Sequence, residues 1–244
     1  MLPRLSARCG CEALLAPRHG PGVCAVCCDL LDGPGGRCRT CFRCEQHASA
    51  VLPVSYSVGG EWLHHLIAAY KRDADPSVPD ATACLASILD SFMFKHERCL
   101  AEAVEVPQFS VVTTVPSGDQ MRDLSHPLRR IVGELSLAAR TRYQRLLWRA
   151  DRPCRSRAFD SGRYLCHAPL DGKPVLLIDD MWTTGASAQS AAAALSRAGA
   201  GPVGVLVIAR HVNRQWGHND ARLKAIQAHG FDFGACALCA ERRS

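Results

Sequence analysis

Val175-Leu-Leu-Ile-Asp-Asp-Met-Trp-Thr-Thr-Gly-Ala-Ser187 is the stretch of sequence that decides the fold. Its four leading apolar residues include branched side chains, which is typical of a parallel strand covered on both faces. Asp179 and Asp180 would then lie at the carboxyl end of that strand, where open α/β sheets bind their ligands. The stretch therefore predicts a buried strand that carries two carboxylates at its functional end.

A loop of small residues follows the two carboxylates and leads into a helix. The loop residues are Thr183, Thr184, Gly185, Ala186 and Ser187. Unpaired backbone N–H groups and the helix dipole both favour an anion at such a position, so the loop predicts a phosphate site. Ser187 is expected to cap the helix. Carboxylates beside a phosphate loop suit the hydroxyls and the phosphate of a ribose 5-phosphate. The alternative is an ordinary solvated turn, which the full order of apolar strand, two acids, small-residue loop and helix makes less consistent with the sequence.

The alternation of sequence patterns along the chain predicts an α/β fold with a mostly parallel sheet and helices on its faces. Strands are predicted at 50–57, 109–115, 175–178 and 203–209, and helices at 62–70, 81–96, 127–139 and directly after the phosphate loop. Pro53 places the first strand at a sheet edge, and Gly199 is well placed to end the last helix. Residues 140–163 are expected to form a basic, irregular loop.

Bulk properties restrict the class of protein. The 244 residues can hold one mid-sized α/β domain and a small appendage. A net charge of +6 suits phosphate-bearing ligands and is too small by itself to indicate nucleic acid binding. The apolar runs are too short to span a membrane, and the N-terminus lacks the apolar stretch of a signal peptide. We therefore expect a cytoplasmic protein without a membrane partner.

The cysteines divide the chain into two predicted parts, a Cys-rich zinc-binding module over residues 1–47 and an α/β domain over residues 48–244. Eight of the fourteen cysteines lie in the first 44 residues: Cys9, Cys11, Cys24, Cys27, Cys28, Cys38, Cys41 and Cys44. This segment has no apolar periodicity, so a metal must replace the missing core. Without an export signal, closely spaced cysteines indicate metal binding more than disulfides.

The zinc ligands are expected to come from two C-x-x-C pairs, as in most four-cysteine sites. Cys24 and Cys27 form one pair. The second pair can be Cys38 with Cys41 or Cys41 with Cys44, because both have the required spacing. We favour the later pair, since an aromatic residue and the nearby strand would anchor it, and keep Cys38 as the alternative ligand. The expected structural Zn²⁺ ligands are Cys24, Cys27, Cys41 and Cys44.

A further C-x-x-C pair, Cys236 and Cys239, lies near the end of the chain. It lacks a partner pair nearby in the sequence. Cys9 and Cys11 could join it in a second metal site if the two ends of the chain meet. A pair of inert thiols is the alternative interpretation.

The thirteen residues from Val175 to Ser187 closely resemble the phosphoribosyl-pyrophosphate (PRPP) signature of type I phosphoribosyltransferases. A cysteine ribbon, a strand with a tyrosine, an amphipathic helix that ends in Tyr-Lys and this signature follow in an order that resembles the ComF-type phosphoribosyltransferase family over most of the chain. The matching pieces are Cys24–Cys44, Val54–Ser57, Ala68–Lys71, Thr114–Pro116 and Val175–Ser187. The resemblance implies a type I phosphoribosyltransferase-like fold.

The resemblance also implies roles for two loops outside the signature. The turn after the second strand resembles a pyrophosphate loop, with Pro116, Ser117, Gly118 and Arg122 as its residues. Type I enzymes cover their ligand with a flexible basic loop, and the stretch 149–160 lies in a comparable place. Its arginines are Arg149, Arg152, Arg155 and Arg157, for which a solvated loop is the alternative.

The function implied by the resemblance is transfer of a phosphoribosyl group from Mg²⁺-bound PRPP to a nitrogenous base or amine, with release of pyrophosphate. Asp179 and Asp180 would be the catalytic residues, because an oxocarbenium-like transition state needs charge stabilisation and positioning. Ser125-His-Pro-Leu128 stands where close relatives usually carry Arg-Gly-Phe-Asn. The second hypothesis is therefore a non-catalytic PRPP or nucleotide sensor, or a competence-type protein whose zinc module contacts single-stranded DNA or a partner protein.

Overall fold

A four-stranded parallel sheet forms the centre of the computed structural model, which describes residues 11–71, 81–117, 123 and 126–240. Its strands are β1 (Ala50–Val58), β2 (Val111–Thr114), β5 (Val175–Trp182) and β6 (Val203–Val212). The strand order is β1-β6-β5-β2, and every neighbouring pair is parallel. The α/β class and the parallel sheet predicted from the sequence are confirmed.

Helices connect and flank these strands. They are α1 (Arg39–Arg43), α2 (Trp62–Tyr70), α3 (Ala81–Ala103), α4 (Pro127–Arg130), α5 (Ala186–Arg197), α6 (Asn219–His229) and α7 (Ala237–Ala240). A 3₁₀ turn covers Cys11–Ala13, and a π-helical turn covers Ile131–Leu135. Within the described ranges, no helix combines the length and the apolar character needed to cross a bilayer.

The two faces of the sheet bury different hydrophobic clusters, because side chains alternate between the faces along each strand. Leu176 and Ile178 of β5 belong to the cluster that includes α2 and α3. Val175 and Leu177 belong to the other cluster, which includes α5 and four buried cysteines of the N-terminal segment. β5 (Val175–Trp182), named the signature strand below, is thus covered on both sides, as its apolar run predicts.

The predicted edge position of the first strand is confirmed. β1 lies at one end of the sheet order and pairs along its length with β6. Pro53 has no N–H to donate, so an edge is where a sheet tolerates it. On the other side of β1, the backbone N–H of Tyr56 donates to the carbonyl of Leu15 at 2.8 Å, which brings the N-terminal segment against this edge.

The predicted helix at 127–139 is wrong in its second half. The helix breaks down after the π-helical turn because the buried carboxylate of Asp90 on α3 takes the donors of the next residues. Ser136 Oγ donates to Asp90 Oδ1 at 2.5 Å, and the N–H of Leu137 donates to Oδ2 at 2.8 Å. These long-range hydrogen bonds replace the bonds of a continued helix. They cannot be predicted from the helical spacing of apolar residues, because Asp90 lies on another helix.

The basic segment predicted to be irregular contains an antiparallel hairpin. Its strands are β3 (Leu147–Arg149) and β4 (Tyr164–Cys166). The residues between them form a loop that contacts α5, since the N–H of Asp160 donates to Ser190 Oγ at 3.0 Å. These two short strands differ from the irregular loop that the sequence predicts.

The N-terminal segment joins the sheet through a buried glutamine of α5. Gln189 Oε1 accepts the N–H of His47 at 2.7 Å and that of Ala48 at 2.9 Å, and its Nε2 donates to Gln46 at 2.9 Å. The side chain is fully buried. The junction between residues 1–47 and 48–244 is therefore fixed against the helix that follows the signature strand.

Candidate functional site

The two carboxylates at the end of β5 have different neighbours. Asp180 accepts a hydrogen bond from the hydroxyl of Tyr70, at the end of α2. It also forms an ion pair with Lys71, whose Nζ lies 2.9 Å from the carboxylate. Burial, and then the adjacent carboxylate, raise the pKa of Tyr70 well above its usual range, so the phenol stays a donor. Tyr70 therefore fixes the position of the Asp180 side chain, and Lys71 compensates its charge.

Asp179 instead lines a pocket of about 240 Å³ in front of the loop Thr183–Ser187, named the signature loop below. Its Oδ1 accepts the backbone N–H of Asp180 at 2.9 Å. Burial, and then the negative charge of Asp180, raise the pKa of Asp179 to about 8, while Lys71 opposes the shift. Near neutral pH this carboxyl can gain or lose its proton when a charged ligand enters the pocket.

The five loop residues from Thr183 to Ser187 line the same pocket and lead into α5. Gly185 occupies the N-cap position of the helix with φ of +81°. Thr184 Oγ1 accepts the N–H of Ala186 at 3.4 Å and donates to the carbonyl of Arg157 at 3.2 Å. The helix N-terminus thus faces the pocket that Asp179 lines, an arrangement favourable to an anion.

The predicted capping role of Ser187 is wrong. The helix begins at Ala186, so Ser187 lies inside its first turn, and the N-cap is Gly185 without a side-chain cap. Ser187 Oγ instead accepts a hydrogen bond from Arg163 Nη1 at 3.3 Å. The residue contributes to the wall of the pocket and not to the helix cap.

Gly185 is expected to be irreplaceable for steric reasons. Its φ is in the left-handed region, and an added Cβ would lie 2.2 Å from the buried ring of Trp182. We expect Gly185→Ala to lower the free energy of unfolding by about 2 to 5 kcal/mol, combining backbone strain and overpacking. Gly60 has φ of +82° with open space around it, so Gly60→Ala should cost about 1 kcal/mol. Urea denaturation of both variants measures the difference, and equal losses would show that the Trp182 contact is unimportant.

The basic loop covers the signature loop. Arg149, Arg155 and Arg157 line the pocket, whereas Arg152 pairs with Asp160 at 3.0 Å outside it. Arg155 and Arg157 are exposed to solvent as well as lining the pocket, so this stretch is compatible both with a ligand-covering loop and with a solvated loop. Their positive charges and the helix N-terminus act on the same space.

Arg163 is a site residue that was not predicted from the sequence. It is buried and lines the pocket. Its Nη2 donates to the carbonyls of Arg155 at 2.7 Å and Ala158 at 2.6 Å, while Nη1 reaches Ser187. One guanidinium thus ties the basic loop to the first turn of α5. No local pattern distinguishes this arginine from the other arginines of the segment.

The turn after β2 lies at the same edge of the sheet, since Val115 donates its N–H to the carbonyl of Ile178 at 3.0 Å. The N–H of Ser117 donates to Asp123 at 3.0 Å, and Tyr164 donates to the carbonyl of Pro116 at 3.4 Å. Neither Pro116 nor Ser117 lines the pocket that contains Asp179. The predicted pyrophosphate-loop residues Gly118 and Arg122 lie outside the described residues.

Four cysteine sulfurs meet in the N-terminal segment, and the group could hold a metal such as zinc. Its members are Cys24, Cys27, Cys38 and Cys41, with all ligand atoms within 4.8 Å of one another. The sulfurs of Cys27 and Cys38 are 3.7 Å apart, and the N–H of Cys38 donates to the Cys24 sulfur at 3.2 Å. Such N–H···S bonds orient thiolates around a cation.

The predicted ligand Cys44 is corrected to Cys38. Cys38 is the N-cap of α1 and Cys41 lies in the next turn, so the helix places both sulfurs on one side. Cys44 is the C-cap at the opposite end of the same helix, and its sulfur is not in the group. The alternative pair that the spacing allowed is the one that the fold uses.

A buried arginine lies between this cysteine group and the signature strand. Arg210 of β6 forms an ion pair with Asp29 at 2.8 Å and donates to the carbonyl of Trp182 at 3.3 Å. Burial alone would lower the pKa of Arg210, but the nearby Cys27 and Asp29 outweigh it and the pKa is raised. The guanidinium therefore stays charged and compensates negative charge on the cysteine group.

A second group of soft ligands, which could also hold a metal such as zinc, includes the C-terminal pair. It comprises His96, Cys99, Cys236 and Cys239. The sequence suggested Cys9 and Cys11 as partners of the C-terminal pair. The sulfur of Cys11 is not in the group, and Cys9 lies outside the described residues. The H-x-x-C spacing of His96 and Cys99 on one face of α3 is the sequence signal that could have identified them.

Comparisons of the chain with models of protein families, with curated proteins and with solved structures find no match.

Proposed function

We propose that this protein binds Mg²⁺-PRPP and transfers its phosphoribosyl group to a nitrogenous base or amine, with release of pyrophosphate, on a type I phosphoribosyltransferase-like fold. The observation that carries the proposal is the pocket that joins Asp179, the loop Thr183–Ser187 and three arginines. The carboxyl group of Asp179 and the N-terminus of α5 face the same space. A sugar that bears a phosphate matches that combination.

Each part of the pocket has a defined task in this proposal. The N-terminus of α5 and Thr184 would bind the 5-phosphate, with Arg157 supplying positive charge. Asp179 and Asp180 would accept hydrogen bonds from the ribose hydroxyls. Arg163 would position the basic loop over the bound ligand, because it already connects that loop to α5.

The residues present are compatible with a magnesium ion that accompanies PRPP. Mg²⁺ prefers carboxylate oxygens and phosphate oxygens, and Asp179 presents a carboxylate to the pocket. Asp180 is less available, because Lys71 already compensates its charge. When bound, the ion would neutralise charge on the pyrophosphate leaving group.

Catalysis would depend on electrostatics and not on a protein nucleophile. As the bond to pyrophosphate breaks, positive charge develops on the ribose ring, and a nearby carboxylate stabilises it. Asp179 would serve this purpose once it has lost its proton. Tyr70 and Lys71 hold Asp180 in place, so its position costs no reorganisation during the reaction.

The test is calorimetric titration of the protein with PRPP, with and without Mg²⁺. We expect magnesium-dependent binding that weakens at least about tenfold in Asp180→Asn, the loss expected for a hydrogen bond to a charged group. Arg157→Ala should also weaken binding, whereas Arg152→Ala is the matched control, since Arg152 is paired with Asp160 outside the pocket. Unchanged affinity in Asp180→Asn and Arg157→Ala would overturn the proposal.

A binding function without transfer is the second candidate, and one surface favours it. Phe42 on α1 is 80% exposed. Beside it, Arg39, Arg43 and Arg157 line a groove of about 580 Å³ that shares Thr184 with the candidate site. An exposed aromatic ring with basic side chains suits single-stranded nucleic acid. Tight PRPP binding without pyrophosphate release from any base, together with salt-dependent single-strand affinity, would favour this candidate.

A further inference from the structure

Four metal-ligating side chains meet where the C-terminal segment crosses α3, far along the chain from the N-terminal cysteines. His96 and Cys99 lie one helical turn apart on α3, and Cys236 and Cys239 flank the start of α7. All four ligand atoms lie within 4.8 Å of one another. The group contributes nothing to the pocket described above, so it requires a separate explanation.

The distances from His96 to two of the sulfurs match a tetrahedral zinc site. With bonds of the usual length, neighbouring ligand atoms around Zn²⁺ are about 3.6 to 3.8 Å apart. Here the Cys99 and Cys239 sulfurs lie 3.7 and 3.8 Å from His96 Nδ1. The Cys236 and Cys239 sulfurs are 3.3 Å apart, which is too far for a disulfide of about 2.05 Å.

The surroundings orient the ligands as metal sites do. His96 Nε2 lies 2.8 Å from the carbonyl of Phe233, so hydrogen bonding assigns the proton to Nε2 and leaves the lone pair of Nδ1 directed at the three sulfurs. The backbone N–H of Cys236 donates to the Cys239 sulfur at 3.0 Å. Both features fix ligand direction before any ion enters.

We propose that His96, Cys99, Cys236 and Cys239 bind a Zn²⁺ ion in a closed, structural site that fastens the C-terminal segment to α3. His96 and Cys236 are buried and Cys99 and Cys239 are partly exposed, but four protein ligands leave a tetrahedral ion no open position for a substrate. Four protein ligands complete the coordination of such an ion. The role of this site is therefore stability and not catalysis.

The C-terminal segment needs such a fastening because its own structure is small. The helix α7 has four residues, and isolated helices of that length do not persist in water. Phe231 and Phe233 pack against the core only partly, and Ala237 is buried there. A bound ion would join this segment to a 23-residue helix.

The test is metal content by plasma mass spectrometry of the full chain purified in zinc-replete medium. We expect two zinc ions per wild-type chain and one in Cys99→Ser or Cys239→Ser. Cys166→Ser is the matched control, since that cysteine is partly exposed, belongs to neither group and should leave two ions. Hydrogen exchange at residues 231–240 should rise at least tenfold in Cys99→Ser and stay unchanged in the control.

One ion in the wild-type chain, unchanged in Cys99→Ser, would overturn the proposal. A Cys236–Cys239 disulfide found by mass spectrometry in protein prepared under reducing conditions would overturn it as well, since it would indicate a redox pair. Cobalt replacement keeps the test independent of variant folding. Wild-type protein reloaded with Co²⁺ should show tetrahedral ligand-field bands of both a four-thiolate and a three-thiolate, one-imidazole site. Bands of the four-thiolate type alone would exclude the second site.

Discussion

Replacing Asp179 with asparagine is expected to stabilise the free protein at alkaline pH and to weaken its binding of Mg²⁺-PRPP. The pKa of Asp179 is raised to about 8 by burial and by the charge of Asp180. The native state therefore holds a proton that the unfolded chain releases above its ordinary pKa of about 4. Between these values the free energy of unfolding falls with rising pH, by about 1.4 kcal/mol per unit.

Asparagine removes this pH dependence without removing the local hydrogen bond. Its Oδ1 can still accept the N–H of Asp180, as the carboxylate does. The stabilising contribution of the protonated Asp179 is complete below pH 4 and disappears as pH rises through about 8, so wild type and variant should diverge in that window. Urea denaturation of both proteins from pH 5 to pH 9 measures the divergence.

The same substitution should lower PRPP affinity by about tenfold to a hundredfold, because a charged acceptor for the ribose hydroxyls and the ion is lost. Binding to the wild type should release protons near pH 7, which calorimetry in buffers of different ionisation enthalpy detects. Asp171→Asn is the control, since Asp171 is exposed and its φ of +49° suits asparagine. Unchanged proton release in Asp179→Asn would show that another group titrates.

Loss of one cysteine ligand from the N-terminal group is the second change with a large expected effect. We expect Cys38→Ser to lose one metal ion and to unfold residues 11–47, because structural zinc contributes on the order of 10 kcal/mol to such segments. Cys44→Ser should keep its metal, since the Cys44 sulfur lies outside the group. The two positions are at opposite ends of α1, so the pair tests the ligand assignment within one helix.

Metal content and hydrogen exchange over residues 11–47 measure this effect. The loss should extend beyond the segment, because Arg210 would face fewer negative charges and contacts both Asp29 and the carbonyl of Trp182. PRPP affinity is therefore expected to fall in Cys38→Ser and not in Cys44→Ser. Metal loss from Cys44→Ser with full retention in Cys38→Ser would restore the ligand set expected from the sequence.

Features with a local physical cause could be predicted from the sequence. The apolar run before Asp179 predicts a parallel strand buried on both faces, because apolar side chains point to each face in turn. Pro53 predicts a strand at the edge of the sheet, because proline has no N–H to donate. Gly199 ends α5 in a left-handed conformation, as expected. The C-x-x-C spacing predicts a metal group in the first 47 residues, although it leaves the choice between Cys38 and Cys44 open.

Features that depend on distant partners could not be predicted. Asp90 ends the helical pattern after Leu135 through bonds to residues more than 40 positions away. His96 meets the carbonyl of Phe233 across 137 positions, and only the fold brings Cys99 to the C-terminal pair. Arg163 acts through backbone carbonyls, which carry no sequence signal. Such interactions can be identified only in the tertiary structure, because the sequence pattern of one segment includes only one of the two interacting residues.

Gln189 has a consequence for how this architecture can change in evolution. Its side chain satisfies two N–H groups at the junction of residues 47 and 48, from a position in the first turns of the helix after the signature loop. If an ancestral chain had gained or lost the cysteine segment in one step, the buried side-chain amide of Gln189 and the buried charge of Arg210 would have lacked their partners in the state without the segment. Insertion or deletion of the segment therefore demands simultaneous replacement of residues in the second half of the chain, so the two parts are constrained to diverge together.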